Sequence, residues 1–261
     1  MDTSKTQIIA VVNEKGGVGK TVTVLNLGAA LCLKGKKVLI VDMDPQFNAT
    51  RGLGISPGKD GTSVYDIIKL PEPVPAQSVV LQTPWKRLDL IPSNADLSGF
   101  EVELANEQGR ENRLNEVLAP IVDIYDFVLV DTPPSLSLLT VNVLTFASDI
   151  LIPCQTHPYA YGAMDELVET ISIIKDEINP DIRIMGVAAT FFDRRTRVSN
   201  KILEDLRADK RFKGKLFDTV IRINTTIAES AYYGKPVVFF RPSSTGAADY
   251  LALADEILDR A

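Results

Sequence analysis

The chain has 261 residues, 45% hydrophobic and 24% charged, which excludes a disordered or fibrous protein and leaves room for one large α/β domain or two small ones. A formal charge of −6 excludes a surface coated in basic residues, and two cysteines, Cys32 and Cys154, exclude a disulfide framework or a four-cysteine metal or iron–sulfur site within one chain. No apolar run reaches the ~18 residues a bilayer span requires, and the polar start MDTSKTQ reads as carrying no signal peptide, so a cytoplasmic protein is expected.

From the N-terminus, apolar β-branched runs alternate with helical patterns. Strand Gln7–Asn13 leads to helical Lys20–Leu33 and strand Lys37–Asp42. A Gly- and Pro-rich surface excursion, Gly52–Pro84, holds a short helix at Val64–Leu70 and precedes strand Leu88–Ile91. Helical Glu101–Leu118, strand Phe127–Asp131, helical Leu136–Ala147 and strand Asp149–Pro153 follow. Helical Met164–Ile178, strand Ile184–Phe191, short strands near Thr219–Arg222 and Val237–Phe240, and a last helix, Ala247–Asp259, complete the series. Most strands read as continuous apolar runs, the mark of strands covered on both faces. The rhythm predicts an α/β fold: a doubly wound, mostly parallel sheet with helices on both faces, in a single domain over residues 1–261.

The strongest motif is Lys15-Gly16-Gly17-Val18-Gly19-Lys20-Thr21, directly after an apolar strand and opening a helix. There, glycines let backbone N–H groups approach phosphates, and the helix N-terminus favours negative charge. Lys20 is placed to reach the β- and γ-phosphates, and the Thr21 hydroxyl to ligate Mg²⁺. The pattern G-x-x-x-x-G-K-[ST] fails at its first position, where Glu14 stands, and a second lysine, Lys15, precedes Lys20. Val38-Leu39-Ile40-Val41-Asp42-Met43-Asp44 and Phe127-Val128-Leu129-Val130-Asp131 then put Asp42, Asp44 and Asp131 at the C-terminal ends of strands. Open α/β sheets bind ligands outside those ends, so three carboxylates beside a phosphate loop suit Mg²⁺ and an attacking water.

These residues resemble a known family. Lys15–Thr21 is similar to the deviant Walker A motif of the ParA/MinD superfamily, Val41-Asp42-Met43-Asp44-Pro45-Gln46-Phe47-Asn48-Ala49-Thr50 to its Walker A′ segment, and Val130-Asp131-Thr132-Pro133-Pro134-Ser135-Leu136 to its Walker B segment. Asp193-Arg194-Arg195-Thr196, Ala228-Glu229-Ser230, Gly234-Lys235-Pro236 and Ser244-Thr245-Gly246-Ala247 resemble the C-terminal half of Soj-type ParA proteins. The resemblance implies a P-loop ATPase using ATP and Mg²⁺ that dimerises with ATP and segregates plasmid or chromosomal DNA over the nucleoid with a ParB-like activator. By position it assigns Lys15 to the partner subunit's ATP and Asp44 to the attacking water. Thr21 and Asp131 serve Mg²⁺, Asp42 supports that shell, and Lys15, Gly16, Gly17, Val18, Gly19, Lys20, Thr21 and Val22 contact ATP. Lys15, Lys20 and Asp44 form its catalytic set. Two departures stand out. Val22 follows Lys20-Thr21 where the family has a second Thr, and Arg222, Ile223 and Thr226 replace a proline and two spaced arginines. The second of those arginines is one the family uses to bind DNA.

The charge distribution bears on DNA. Between Asp193 and Arg241 lie twelve Lys and Arg against six Asp and Glu, a local balance of +6, while the remainder holds 16 basic and 28 acidic residues, a balance of −12. A solvated basic face is the plain reading; with the resemblance, Arg194, Arg195, Arg197, Lys201 and Arg222 become candidates for nonspecific contacts to double-stranded DNA phosphates. Only about six residues precede the first strand, too few for a helix-turn-helix. The acidic terminal helix, unlike the basic amphipathic end of MinD-like relatives, argues against membrane targeting. His157 is the only histidine, so no histidine metal cluster or triad is expected. Tyr159, Tyr161, Tyr232 and Tyr233 read as packing residues. Two other readings keep the fold: a positioning ATPase for a non-DNA cargo such as a carboxysome or chemotaxis array, and a metabolic ATP-dependent phosphotransferase.

Overall fold

In the computed structural model, which describes residues 5–56, 61–69 and 71–261, continuous apolar runs become buried strands and the segments between them become covering helices. The strands are β1 (Gln7–Val11), β2 (Val38–Asp42), β3 (Leu81–Gln82), β4 (Leu88–Ile91), β5 (Phe127–Asp131), β6 (Asp149–Gln155), β7 (Arg183–Phe192) and β8 (Leu216–Arg222). The helices are α1 (Lys20–Leu33), α2 (Asn48–Gly52), α3 (Val64–Ile68), α4 (Phe100–Glu103), α5 (Arg113–Val122), α6 (Leu138–Phe146), α7 (Pro158–Gly162), α8 (Met164–Glu177), α9 (Arg197–Ala208), α10 (Thr225–Tyr232), α11 (Val237–Phe240) and α12 (Thr245–Arg260).

Among the described residues eight strands form one sheet in the order β3-β4-β2-β5-β1-β6-β7-β8, parallel except for β3 on β4. The expected doubly wound parallel sheet is therefore observed. Successive residues of each strand serve opposite faces. Ile9 and Val11 of β1 join the core under α1 and α12, while Ala10 and Val12 join the core under α5, α6 and α8. Each fully buried Val, Leu or Ile there contributes about 1.5–3 kcal/mol. The chain turns to opposite sides of β1, and the register sets Val11 beside Asp131 and Asp131 beside Asp42 at the carboxyl edge. That edge is where the site lies.

Three expectations are corrected. Val237–Phe240 is a short helix, not a strand: Pro236 opens it, Phe240 N–H donates to Pro236 O at 2.9 Å, and Val237 N–H donates to Asn26 Oδ1 of α1 at 2.6 Å. Those four residues pack on α1 and α12. The helical pattern Glu101–Leu118 is broken into α4 and α5, with Gly109 in the left-handed region at φ 72° between them. A helix start also shifts: α6 begins at Leu138 after extended Ser137, so Leu136 lies outside it. The short helix expected at Val64–Leu70 is α3, ending at Ile68; Leu70, part of the Gly52–Pro84 excursion and the start through Ser4 lie outside the described residues.

Candidate nucleotide-binding site

The phosphate loop bridges β1 and α1, and three side chains brace it. Thr190 of β7 donates its hydroxyl to Val18 O at 2.8 Å. Asn13 donates Nδ2–H to Pro153 O at 2.9 Å and accepts the Lys15 N–H on Oδ1 at 2.9 Å. Lys20 Nζ donates to Asn13 O at 2.8 Å and Lys15 O at 3.3 Å. Gly19, at φ 93°, holds a conformation that side chains resist, and a Cβ there would come 3.2 Å from the Phe191 ring. Burial pushes the Lys20 ammonium down from its ordinary value, while Asp131 and Asp44 pull it back up.

Across from Lys20 the carboxylates divide their labour. Thr21 donates its hydroxyl to Asp131 Oδ2 at 2.7 Å, and Asp131 Oδ1, fully buried, has no hydrogen-bond partner among the described residues. Burial, then the neighbouring Asp42, raises the Asp131 carboxyl well above its usual range. An orphaned carboxylate oxygen beside a threonine hydroxyl is a hard-oxygen pair suited to Mg²⁺, directly or through water. Asp42 sits differently. Its Oδ2 accepts from both the N–H and the hydroxyl of Thr50, at 2.8 and 2.7 Å, and its Oδ1 accepts from Asp44 N–H at 3.2 Å. Asp42 thus braces the loop that carries Asp44. Asp44 accepts Gln46 N–H on Oδ1 at 2.9 Å, lines the cleft, and is raised in pKa by burial against the pull of Gln46 N–H and Lys20.

The cleft holds about 520 Å³, and Gly16, Gly17, Gly19, Lys20, Thr21 and Val22 form its loop side. Lys15 is not on its wall; its Nζ lies 5.1 Å from the centre of the Tyr159 ring on α7. A second, apolar slot of about 210 Å³ adjoins it, walled by Val22, Thr190, Ile221, Asn224 and Tyr250. Phe191, at φ 50°, stands between the two and lines both. Neither Phe191 nor Asn13 carries a motif, and only their contacts with the loop reveal them. The tyrosines are corrected in part: Tyr159, Tyr232 and Tyr233 are exposed, whereas Tyr161 is half-buried with its hydroxyl on Asp209.

The basic residues gather less completely. Arg194 and Arg195 lie on the β7–α9 loop, Arg197 and Lys201 on α9, and Arg222 on β8 at the level of Phe192. Arg194 and Arg197 have no ion-pair partner among the described residues; Lys201 pairs with Asp205 at 2.7 Å. Arg222 departs from expectation, because its guanidinium is held by buried Asp249 on α12.

Comparison with known proteins accords with this geometry. A family model described as an AAA domain matches residues 6–184. The chain is 41% identical over 251 residues to the sporulation initiation inhibitor protein Soj of Bacillus subtilis, covering 96% of this chain and 98% of that one. It is 38% identical over 254 residues to the chromosome partitioning protein ParA of Myxococcus xanthus, covering 97% and 88%. The chain belongs to the ParA/Soj family of deviant Walker A ATPases. As a ParA-family ATPase it shares its architecture with the crystal structure of cobyrinic acid a,c-diamide synthase from Mycobacterium smegmatis with bound ATP analog and magnesium, at 34% identity and TM-score 0.85, covering 96% of this chain and 93% of that one. MinD of Pyrococcus furiosus, at 24% identity and TM-score 0.79 over 98% of this chain and all of that one, shares the fold. Among the described residues no helix is long and apolar enough to cross a membrane.

Proposed function

We propose that this ParA-family ATPase is an ATP-driven dimerisation switch that binds double-stranded DNA without sequence preference and segregates plasmid or chromosomal DNA in the cytoplasm, over the nucleoid, with a ParB-like protein stimulating hydrolysis. The observation that carries the reading is the direction of Lys15: its backbone belongs to the phosphate loop, but its side chain leaves its own cleft for Tyr159. A lysine so turned is available to a second subunit's nucleotide, where it would add positive charge to the transferring phosphoryl group.

In this reading the loop amides and Lys20 hold the phosphates, and Thr21 and Asp131 hold Mg²⁺. That ion, when bound, neutralises charge on the β- and γ-phosphate oxygens. Asp44 orients the attacking water and takes its proton. Asp42 keeps Asp44 in place through Thr50. The apolar slot beyond Phe191 suits the base of the nucleotide. The basic loop Arg194–Arg197 supplies phosphate contacts, doubled when two subunits pair.

Light scattering with and without a nonhydrolysable ATP analogue tests the switch, and co-sedimentation with DNA under ATP, ADP and no nucleotide tests its output. A monomer at saturating analogue would overturn the first part; DNA binding indifferent to nucleotide would overturn the second. Two observations favour a non-DNA cargo moved by the same switch. Thr226 stands at the family's DNA-binding arginine, and Arg222 is committed to Asp249. Nucleotide-dependent dimers without DNA affinity would select it.

A further inference from the structure

An exposed arginine of the basic loop already holds an anion. Arg195 is 82% exposed, yet its Nε and Nη2 both donate to Asp193, to Oδ1 and Oδ2 at 2.9 Å each. This is the fork-to-fork geometry with which a guanidinium takes a phosphate. Asp193 is the fixed member of the pair. Its N–H donates to Ser199 Oγ at 3.0 Å, its Oδ1 also accepts the Arg195 N–H at 3.0 Å, and its side chain is 16% exposed. Arg194 and Arg197, on either side, carry no such partner among the described residues.

We infer that Asp193 is a positioning residue that occupies Arg195 in place of a DNA phosphate, so that this arginine joins the DNA surface only when phosphate displaces the carboxylate. The inference rests on the DNA-binding reading of this segment. Asp193 holds Arg195 in the direction a phosphate would meet and sets an anion threshold on its use. Isolated surface anions do not meet that threshold; a backbone that also engages Arg194 and Arg197 does. The pair lies two residues beyond Phe191, which lines the nucleotide cleft, and three beyond Thr190, whose hydroxyl holds the phosphate loop. Ser199 Oγ, the acceptor for Asp193 N–H, also meets Thr156 Oγ1 at 2.6 Å, and Thr156 N–H bonds Thr190 O at 3.0 Å. The carboxylate therefore sits on the residue that directly follows β7, the strand that lines the nucleotide cleft, and is tied back to it through Ser199 and Thr156.

The test is fluorescence anisotropy of two unrelated labelled duplexes over a KCl series, with a nonhydrolysable ATP analogue, for wild type, Asp193→Asn, Arg195→Ala and the double variant. Asparagine keeps an acceptor for the Arg195 N–H; Asp193→Ser is the second variant should the first fail to fold. Freeing Arg195 should tighten binding about two- to five-fold per subunit, the range of an exposed ion pair. The slope of log affinity against log salt should stay at the wild-type value in Asp193→Asn, because the same phosphate contact forms once the carboxylate yields, and should flatten by about 0.9 in Arg195→Ala. The gain should vanish in the Arg195→Ala background. A gain that persists there would reduce Asp193 to bulk charge, and no gain in either Asp193 variant would overturn the inference outright. Wild type that binds neither duplex would instead defeat the DNA-binding reading on which the inference rests.

Discussion

Thr21 and Asp131, 110 residues apart, meet through a 2.7 Å hydrogen bond that leaves the other Asp131 oxygen buried and unpartnered. The contact joins the first turn of α1 to the end of β5, where the proposed reading places Mg²⁺. Asp131→Asn should fold, because the amide keeps an acceptor for Thr21, and should lose magnesium-dependent tightening of nucleotide binding. Calorimetric titration of ATP with and without Mg²⁺ checks this. An unchanged magnesium effect would remove Asp131 from the metal site.

The same carboxylates make a pH prediction with a definite sign. Burial raises Asp42 to about 6 from an ordinary 3.8, and Asp131 also moves up. The native state then binds protons that the unfolded chain has released across that window, so these groups make the nucleotide-free protein more stable as pH falls through it and less stable as pH rises. The thermal midpoint without nucleotide should fall less steeply from about pH 4 to about pH 6 in Asp131→Asn than in wild type. Magnesium-dependent nucleotide affinity should run the other way, weakening at the acid end. Parallel midpoint curves for the two proteins would contradict the assignment.

Asp44→Ala should bind ATP and dimerise but turn over at least about 100-fold more slowly, the usual loss for a positioned proton acceptor. Lys20→Ala should instead weaken nucleotide binding, because Lys20 ties two loop carbonyls together and in the proposed reading also faces the phosphates. Single-turnover hydrolysis and equilibrium binding separate the two. Wild-type turnover in Asp44→Ala would move the water elsewhere.

Arg222→Ala should cost stability rather than DNA affinity. Its guanidinium and its N–H both serve Asp249, whose side chain is 7% exposed. Removing the side chain leaves that carboxylate short of partners, at about 1–2 kcal/mol for a half-exposed pair. Denaturant unfolding should show the loss, while the salt slope of DNA binding stays at the wild-type value.

Gly234→Ala should be the most damaging of these changes to the fold. Gly234 has φ 62°, and a Cβ would lie 2.5 Å from Gly54 Cα, where only backbone could yield. The expected cost is about 3 kcal/mol, a fall of about 6–12 °C in thermal midpoint for a chain this size. A midpoint within a degree of wild type would mean that the α2 and α10 ends separate easily.

The sequence by itself determined the phosphate loop, the strand-end aspartates and the parallel sheet. These are written in contiguous residues: glycines before Lys20-Thr21, and apolar runs ending in Asp42 and Asp131. Tertiary structure decided how those groups are used. Asp42 and Asp131 look alike in sequence, both closing apolar strands, yet Thr50 takes up Asp42 while one oxygen of Asp131 stays open. Val237–Phe240 has the composition of a strand, and four apolar residues hold no period to say otherwise; Pro236 and the α1 surface made it a helix. Arg222 and Arg195 are equally basic, but one is bound to Asp249 on another element and the other to Asp193 within its own loop. Asp249 and Asn26 lie 27 and 211 residues from the groups they hold, brought there by strand register and helix docking, and no local pattern encodes which of several like charges will find such a partner.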